Sequence, residues 1–163
     1  MGIEIERKFL VDPSKLPLLD PKRSTQITQG YLLNDPGQRI RLINTAIARL
    51  TIKGTGTVSR KEFEYDIPRK DAEELLSMCP NQLSKIRHEL TFEGHLWVVD
   101  QFEGTLKGLW LAEIELTSED EQFVIPEWAV KEVSTLPEYS NAQLAAHGLT
   151  NANLLPNLSL SVP

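Results

Sequence analysis

Strict two-residue alternation, with a charge at every second position, is the feature that most constrains this chain. Ile3 to Leu10 reads Ile-Glu-Ile-Glu-Arg-Lys-Phe-Leu. Successive strand side chains point to opposite faces, so Glu4, Glu6 and Lys8 share one face and Ile3 and Ile5 the other. The pattern recurs at Arg39 and Arg41, Glu62 and Glu64, Lys85 and Arg87, and Glu113 and Glu115, with Lys53 and Asp100 as single charges in further segments. Such a period belongs to strands, not helices. Like charges two residues apart lie about 7 Å from each other. At an effective dielectric near 20 each pair repels itself by roughly 2 kcal/mol. Something in the fold must compensate.

Strands are expected over Ile3–Leu10, Gln26–Leu33, Arg39–Ile43, Ala48–Lys53, Ser59–Ile67, Leu83–Phe92, His95–Phe102 and Leu109–Thr117. Asn34-Asp35-Pro36-Gly37 and Gly54-Thr55-Gly56-Thr57 supply hairpin turns. The second is no phosphate loop, because no Gly-Lys-Ser/Thr follows it. Asp71–Met78, with acidic residues in its first turn, reads as a helix, as do Pro126–Val133 and Asn141–Ala146. Eight strands at hairpin spacing with few helices predict a mainly β (α+β) chain, an eight-stranded antiparallel barrel with helices packed outside. Trp97, Trp110 and Trp128 are expected between barrel and helices.

At 163 residues the chain suits one domain, here residues 1–150, followed by a loosely held tail at 151–163. No apolar run approaches the roughly 20 residues of a membrane span. The opening residues read as neither a secretory nor a transit signal. A single cysteine, Cys79, excludes a disulfide framework and a cysteine zinc site. These readings predict a cytoplasmic protein. The net charge of −6 speaks against nucleic acid or anionic lipid as a partner. His88, His95 and His147 lack metal-ligand spacing.

Two arrangements fit the charged face. It can be the solvated outside of a sheet, or it can line the lumen of a barrel whose apolar outer face is covered by helices. In a lumen, Lys8, Arg39, Arg41, Lys53, Lys85 and Arg87 suit a polyanion. Glu4, Glu6, Glu62, Glu64, Asp100, Glu113 and Glu115 would repel that polyanion unless divalent cations stand between them. A metal-bound polyphosphate satisfies both sets.

Glu4-Ile5-Glu6-Arg7-Lys8 resembles the N-terminal Glu-x-Glu-x-Lys signature of the CYTH superfamily, the triphosphate tunnel metalloenzymes. Arg39-Ile40-Arg41, Thr51-Ile52-Lys53-Gly54, Glu62-Phe63-Glu64, Lys85-Ile86-Arg87, Asp100-Gln101-Phe102-Glu103-Gly104 and Glu113-Ile114-Glu115 follow in that family's order, with a weaker echo at Tyr139-Ser140-Asn141. The resemblance favours the lumen. It implies a CYTH tunnel domain over residues 1–150 that binds and hydrolyses a small-molecule triphosphate with Mg²⁺ or Mn²⁺. It further implies that Lys8, Arg39, Arg41, Lys53, Lys85 and Arg87 grip phosphates and that the acidic set holds metal. Lys8, Tyr31, Arg39 and Arg41 would serve catalysis, Tyr31 resembling a tyrosine that the family places near the signature lysine. The short build looks like the bacterial enzymes acting on inorganic triphosphate. An organic triphosphate (thiamine triphosphate, or ATP in a class IV adenylyl cyclase) and a non-catalytic polyphosphate-binding module are the alternatives. Homodimerisation is the family tendency.

Overall fold

The computed structural model describes residues 2–32 and 37–149; the expected turn at 34–36 and the tail from Thr150 lie outside the described residues. Nine strands and two helices follow one another as β1 (Gly2–Val11), β2 (Ser24–Tyr31), β3 (Gln38–Ile43), β4 (Ile47–Lys53), β5 (Ser59–Ile67), α1 (Arg69–Ser77), β6 (Asn81–Phe92), β7 (His95–Phe102), β8 (Trp110–Glu115), β9 (Ala129–Glu132) and α2 (Asn141–His147). The first eight strands close into an antiparallel barrel in the order β1-β5-β4-β3-β2-β6-β7-β8, with β8 returning to β1. The expected eight-stranded barrel is therefore the observed one. Gly56 makes the β4–β5 turn possible: its φ is +136°, and a Cβ there would stand 2.2 Å from the Ser59 carbonyl oxygen.

The segment expected as a helix over Pro126–Val133 instead contains β9. β5 pairs with only the first residues of β1, Gly2 to Ile5. The same edge of β1 would be left with open backbone groups farther along, and Phe9–Val11 pair there with β9. That demand for backbone partners outweighs the weak helical pattern of the segment.

The barrel has three apolar zones. On the outside, Phe9, Val99, Ile114, Trp97 and Trp128 form one core. Its cover is the irregular stretch between β8 and β9, not a helix: Phe123 packs edge-on against Phe9 and Trp97, and the Trp97 and Trp128 rings lie 5.4 Å apart. Trp110 packs against the edge of this group and stacks on His88. Also outside, α1 lays Ala72 and Leu76 over Ile40 and Ala48. It approaches β2 so closely that a Cβ on Gly30 would stand 2.8 Å from Cys79 Cβ.

The third zone lies inside. Leu10, Leu83, Phe102 and Leu111 cluster with Tyr139 and Leu144. Each of these strand residues sits two positions from a charged one (Lys8, Lys85, Asp100 and Glu113), so it shares the inward face. One end of the lumen is thus apolar and stoppered by α2 and the turn before it. Of the two helices, only α1 lies on the outside as expected. With no further helix available, Ile3, Ile52, Phe63 and Tyr65 on the outer face of β1, β4 and β5 stay exposed. No helix among the described residues is long and apolar enough to cross a membrane.

Candidate active site

Strand register, more than any single residue, builds the site. Across the closed barrel, β5, β1 and β8 are consecutive and carry Glu62, Glu64, Glu4, Glu6, Glu113 and Glu115. β4, β3, β2, β6 and β7 complete the circuit; of these, β4 carries Arg49 and Lys53, β3 carries Arg39 and Arg41, and β6 carries Lys85 and Arg87. The alternating segments of the sequence therefore assemble into an acidic wall facing a basic wall. The space between them is a cavity of about 280 Å³. It is lined by every residue singled out from the sequence except Asp100, and also by Arg49, Arg60, Ser140 and Asn141.

Register also decides which charges offset one another. Lys53 lies opposite Glu62, and Lys8 opposite Glu113. Lys53 Nζ is 3.0 Å from Glu4 Oε1 and 3.4 Å from Glu62 Oε2, and Lys8 Nζ is 3.6 Å from Glu113 Oε2. Arg60 reaches both Glu4 and Glu6, at 3.4 and 3.6 Å. Other pairings are like with like: Glu6 faces Glu115, and Arg41 faces Arg49.

Asp100 has a place of its own. It is 1% exposed and does not line the cavity. Its Oδ2 accepts from Lys85 Nζ at 2.8 Å and from Arg87 Nη2 at 2.9 Å, and its Oδ1 accepts from Arg87 Nε at 2.8 Å. Both oxygens are committed to cations, so the expected metal-holding role does not match its surroundings; it anchors the two basic residues that reach the cavity. Burial opposes the Asp100 charge, but the charges and hydrogen bonds of Arg87 and Lys85 outweigh it and hold the carboxyl far below the usual range. Arg87 extends the chain by donating to Glu113 Oε1 at 2.9 Å. Burial likewise opposes the Glu113 charge, and Lys8 and Arg87 keep it ionised.

Two cations have no carboxylate within 4 Å, and among the described residues lining the cavity they are the only such ones. Arg39 donates from Nη2 to Thr51 Oγ1 at 3.4 Å, while its buried Nε has no hydrogen-bond partner. Arg41 donates from Nε and Nη2 to one neutral oxygen, Gln29 Oε1, at 3.1 and 2.9 Å. Burial, with Arg39 and Arg87 nearby, lowers the Arg41 guanidinium to about 9. The Tyr31 hydroxyl accepts from Gln29 Nε2 at 2.9 Å. The basic wall thus holds positive charge that no carboxylate of the described residues pairs directly.

The acidic wall is the counterpart. Burial, together with Glu113 and Glu4, pushes the Glu6 carboxyl up to about 7. Burial and a hydrogen bond shared with Glu4 push Glu62 up to about 7. In Glu4, burial is outweighed by that shared bond and by Lys53 and Arg60, which keep it ionised. Glu62 Oε2 is buried and makes no directed hydrogen bond, although Lys53 Nζ is 3.4 Å away. Crowded oxygen-only donors that take up protons for want of positive charge fit a hard divalent cation. Among the described residues no three carboxylates, histidines or cysteines converge into a complete cage.

Sequence reasoning missed Gln29, Arg49, Arg60 and Asn141. Gln29 and Tyr31, Arg49 and Lys53, and Arg60 and Glu62 each share the parity of a residue already singled out, so alternation could have found the first three. Asn141 had only the echo at Tyr139-Ser140-Asn141. Its placement depends on how α2 enters the barrel.

A closed antiparallel barrel with opposed acidic and basic inner walls defines a class of protein built to hold a highly charged small molecule. The chain belongs to the CYTH domain family, which matches residues 2–148. It is 39% identical over 156 residues to an inorganic triphosphatase of Acetivibrio thermocellus, covering 93% of this chain and 98% of that protein. It is 34% identical over 149 residues to an inorganic triphosphatase of Nitrosomonas europaea, covering 87% and 96%. The crystal structure of an inorganic triphosphatase, 33% identical, superposes with a TM-score of 0.64 over 87% of this chain and 97% of that one.

Proposed function

We propose that this protein is a hydrolase that cleaves inorganic triphosphate to diphosphate and phosphate inside the barrel. The observation that carries the reading is the pair Arg39 and Arg41: two inward guanidiniums without carboxylate partners, facing a wall of carboxylates. Relatives that share the fold over nearly their whole length bear the name inorganic triphosphatase, which supports the same substrate.

In this account Arg39 and Arg41 bind the equatorial oxygens of the phosphoryl group being transferred, where charge spreads in the transition state. Lys8, Lys53, Lys85 and Arg87 fix the remaining phosphates. Because Lys85 and Arg87 are locked by Asp100, the anion meets pre-aimed donors. One or two of Glu4, Glu6 and Glu62 would hold Mg²⁺ or Mn²⁺, with water and substrate phosphates completing its shell. Such an ion neutralises phosphate charge and lowers the pKa of a bound water. α2 stoppers the apolar end and keeps bulk solvent from that side. The compact charged cavity favours a substrate that is phosphate throughout.

The test is a substrate panel. Purified protein is incubated with Mg²⁺ and triphosphate, ATP or thiamine triphosphate, and phosphate and cyclic AMP are measured. The reading predicts the highest kcat/KM on triphosphate and no cyclic AMP. Faster turnover of either organic triphosphate would overturn it.

A further inference from the structure

We infer that Gln29 and Asn141 form a neutral amide bridge that positions Arg41 and Lys85 for triphosphate and makes α2 part of the binding site, an inference that rests on the triphosphatase reading above. Gln29 is fully buried on β2, directly opposite Arg41 in the β2–β3 register. Its Oε1 accepts both Arg41 bonds, and its Nε2 donates to Tyr31 Oη at 2.9 Å and to Asn141 Oδ1 at 3.2 Å. Every polar hydrogen of the amide is used. A flipped amide would set its NH₂ against the guanidinium and its oxygen against Asn141 Oδ1, so the orientation is fixed.

The choice of a neutral oxygen is informative. Arg87 is held by a carboxylate, Asp100, and its charge is balanced within the protein. Arg41 is held by two hydrogen bonds to a neutral oxygen, and no carboxylate of the described residues pairs with it directly. Burying an amide beside a guanidinium is a poor way to stabilise a barrel interior, since both groups lose hydration. It is a good way to aim a cation.

Asn141 completes the bridge. Its Oδ1 accepts from Lys85 Nζ at 2.7 Å as well as from Gln29. It opens α2, whose preceding Ser140 caps Gln143 N at 3.2 Å. Lys8 Nζ donates to the Tyr139 carbonyl at 3.3 Å, just before the helix. Two groups of the phosphate-binding set, Lys8 and Lys85, thus contact one short segment directly and Arg41 is linked to it through Gln29, which ties the stopper of the barrel to the orientation of the site.

Gln29→Glu separates positioning from structure. The variant keeps size and acceptor but balances Arg41, so KM for triphosphate should rise by about tenfold or more, the equivalent of one charge-assisted contact. kcat should fall as well, because Arg41 binds the reacting phosphoryl group, while circular dichroism should show the fold retained. Asn141→Asp, at a half-buried helix start where a carboxylate is tolerated, provides the same reading if the first variant does not fold: it adds negative charge at Lys85 and should also raise KM. Wild-type KM and kcat in either folded variant would overturn the inference. Calorimetric titration of triphosphate in excess chelator keeps the two claims apart. Wild-type protein that binds triphosphate but does not hydrolyse it once Mg²⁺ is restored would refute the proposed function, while the ratio of variant to wild-type Kd would still decide the role of the amides. Wild-type protein that binds triphosphate neither in chelator nor with Mg²⁺ restored would overturn both.

Discussion

Lys85 and Asp100 meet at 2.8 Å with side chains 1% and 2% exposed, a buried ion pair of which only the lysine lines the cavity. Burial lowers the Lys85 ammonium well below its usual range even though Asp100 supports it. A pair so placed persists only because each partner, and Arg87 with them, has its hydrogen bonds satisfied.

Asp100→Ala should therefore be among the most destabilising substitutions in the chain. Removing one partner of a buried pair costs about 3–5 kcal/mol. For a domain of this size that corresponds to a fall in Tm of roughly 6–20 °C. Because the folded-state pKa of Asp100 is depressed, its contribution is present above the unfolded value near 4 and is lost as pH falls through that region. Thermal melts should show wild-type stability dropping on acidification below about pH 4, with the drop reduced in a folded Asp100→Asn variant.

Two carboxyls of the acidic wall have the opposite sign. Glu6 and Glu62 have folded-state values raised to about 7, so the folded protein binds more protons than the unfolded chain between about pH 4.5 and 7. Stability should fall as pH rises through that window and level off above it. Glu6 alone accounts for up to about 3 kcal/mol of this slope. Glu6→Gln should flatten the dependence in metal-free buffer. A Tm that rises from pH 5 to 8 without metal would contradict this picture of the wall.

Little of this pairing could be read along the chain. Alternation placed Glu4, Glu6 and Lys8, or Arg39 and Arg41, on single faces, and hairpin spacing gave the antiparallel barrel, because both depend on residues near one another in sequence. The acidic wall arises from β5, β1 and β8, which are neighbours only after the barrel closes. That Lys85 ends on Asp100, whereas Arg41 ends on Gln29, follows from inter-strand register. β9 was misread for a related reason: four residues with weak local preference take their conformation from the open edge of β1. The apolar inward residues Leu10, Leu83, Phe102 and Leu111 carried a parity signal, but only the docked α2 shows why a charged lumen ends in leucine and phenylalanine.

Arg39→Ala should leave the fold intact, since its one side-chain hydrogen bond among the described residues is a long contact to Thr51. One charge-assisted contact is worth about 1.5–3 kcal/mol, so kcat/KM on triphosphate should fall roughly 10- to 150-fold with Tm nearly unchanged. Steady-state kinetics beside a thermal melt checks both halves.

Metal identity should be selected at turnover, not at binding. A carboxylate and phosphate oxygen environment admits Mg²⁺, Mn²⁺ and Ca²⁺. Mg²⁺ keeps near-octahedral oxygens at about 2.0–2.1 Å, while Ca²⁺ takes six to eight at about 2.3–2.6 Å. Mg²⁺ and Mn²⁺ should therefore support phosphate release, and rising Ca²⁺ at fixed Mg²⁺ should inhibit it. Chelation should abolish activity reversibly. Full activity in Ca²⁺ alone or after exhaustive chelation would sink the metal-dependent account.

The most direct measurement follows triphosphate by phosphorus NMR in the presence of Mg²⁺, with wild-type protein and with the double variant Arg39→Ala/Arg41→Ala, its fold checked by circular dichroism. Wild-type protein should convert triphosphate to equal amounts of diphosphate and phosphate, and the folded double variant should convert none on the same timescale. Hydrolysis by the double variant at the wild-type rate would contradict the claim that the unbalanced pair on β3 holds the reacting phosphate.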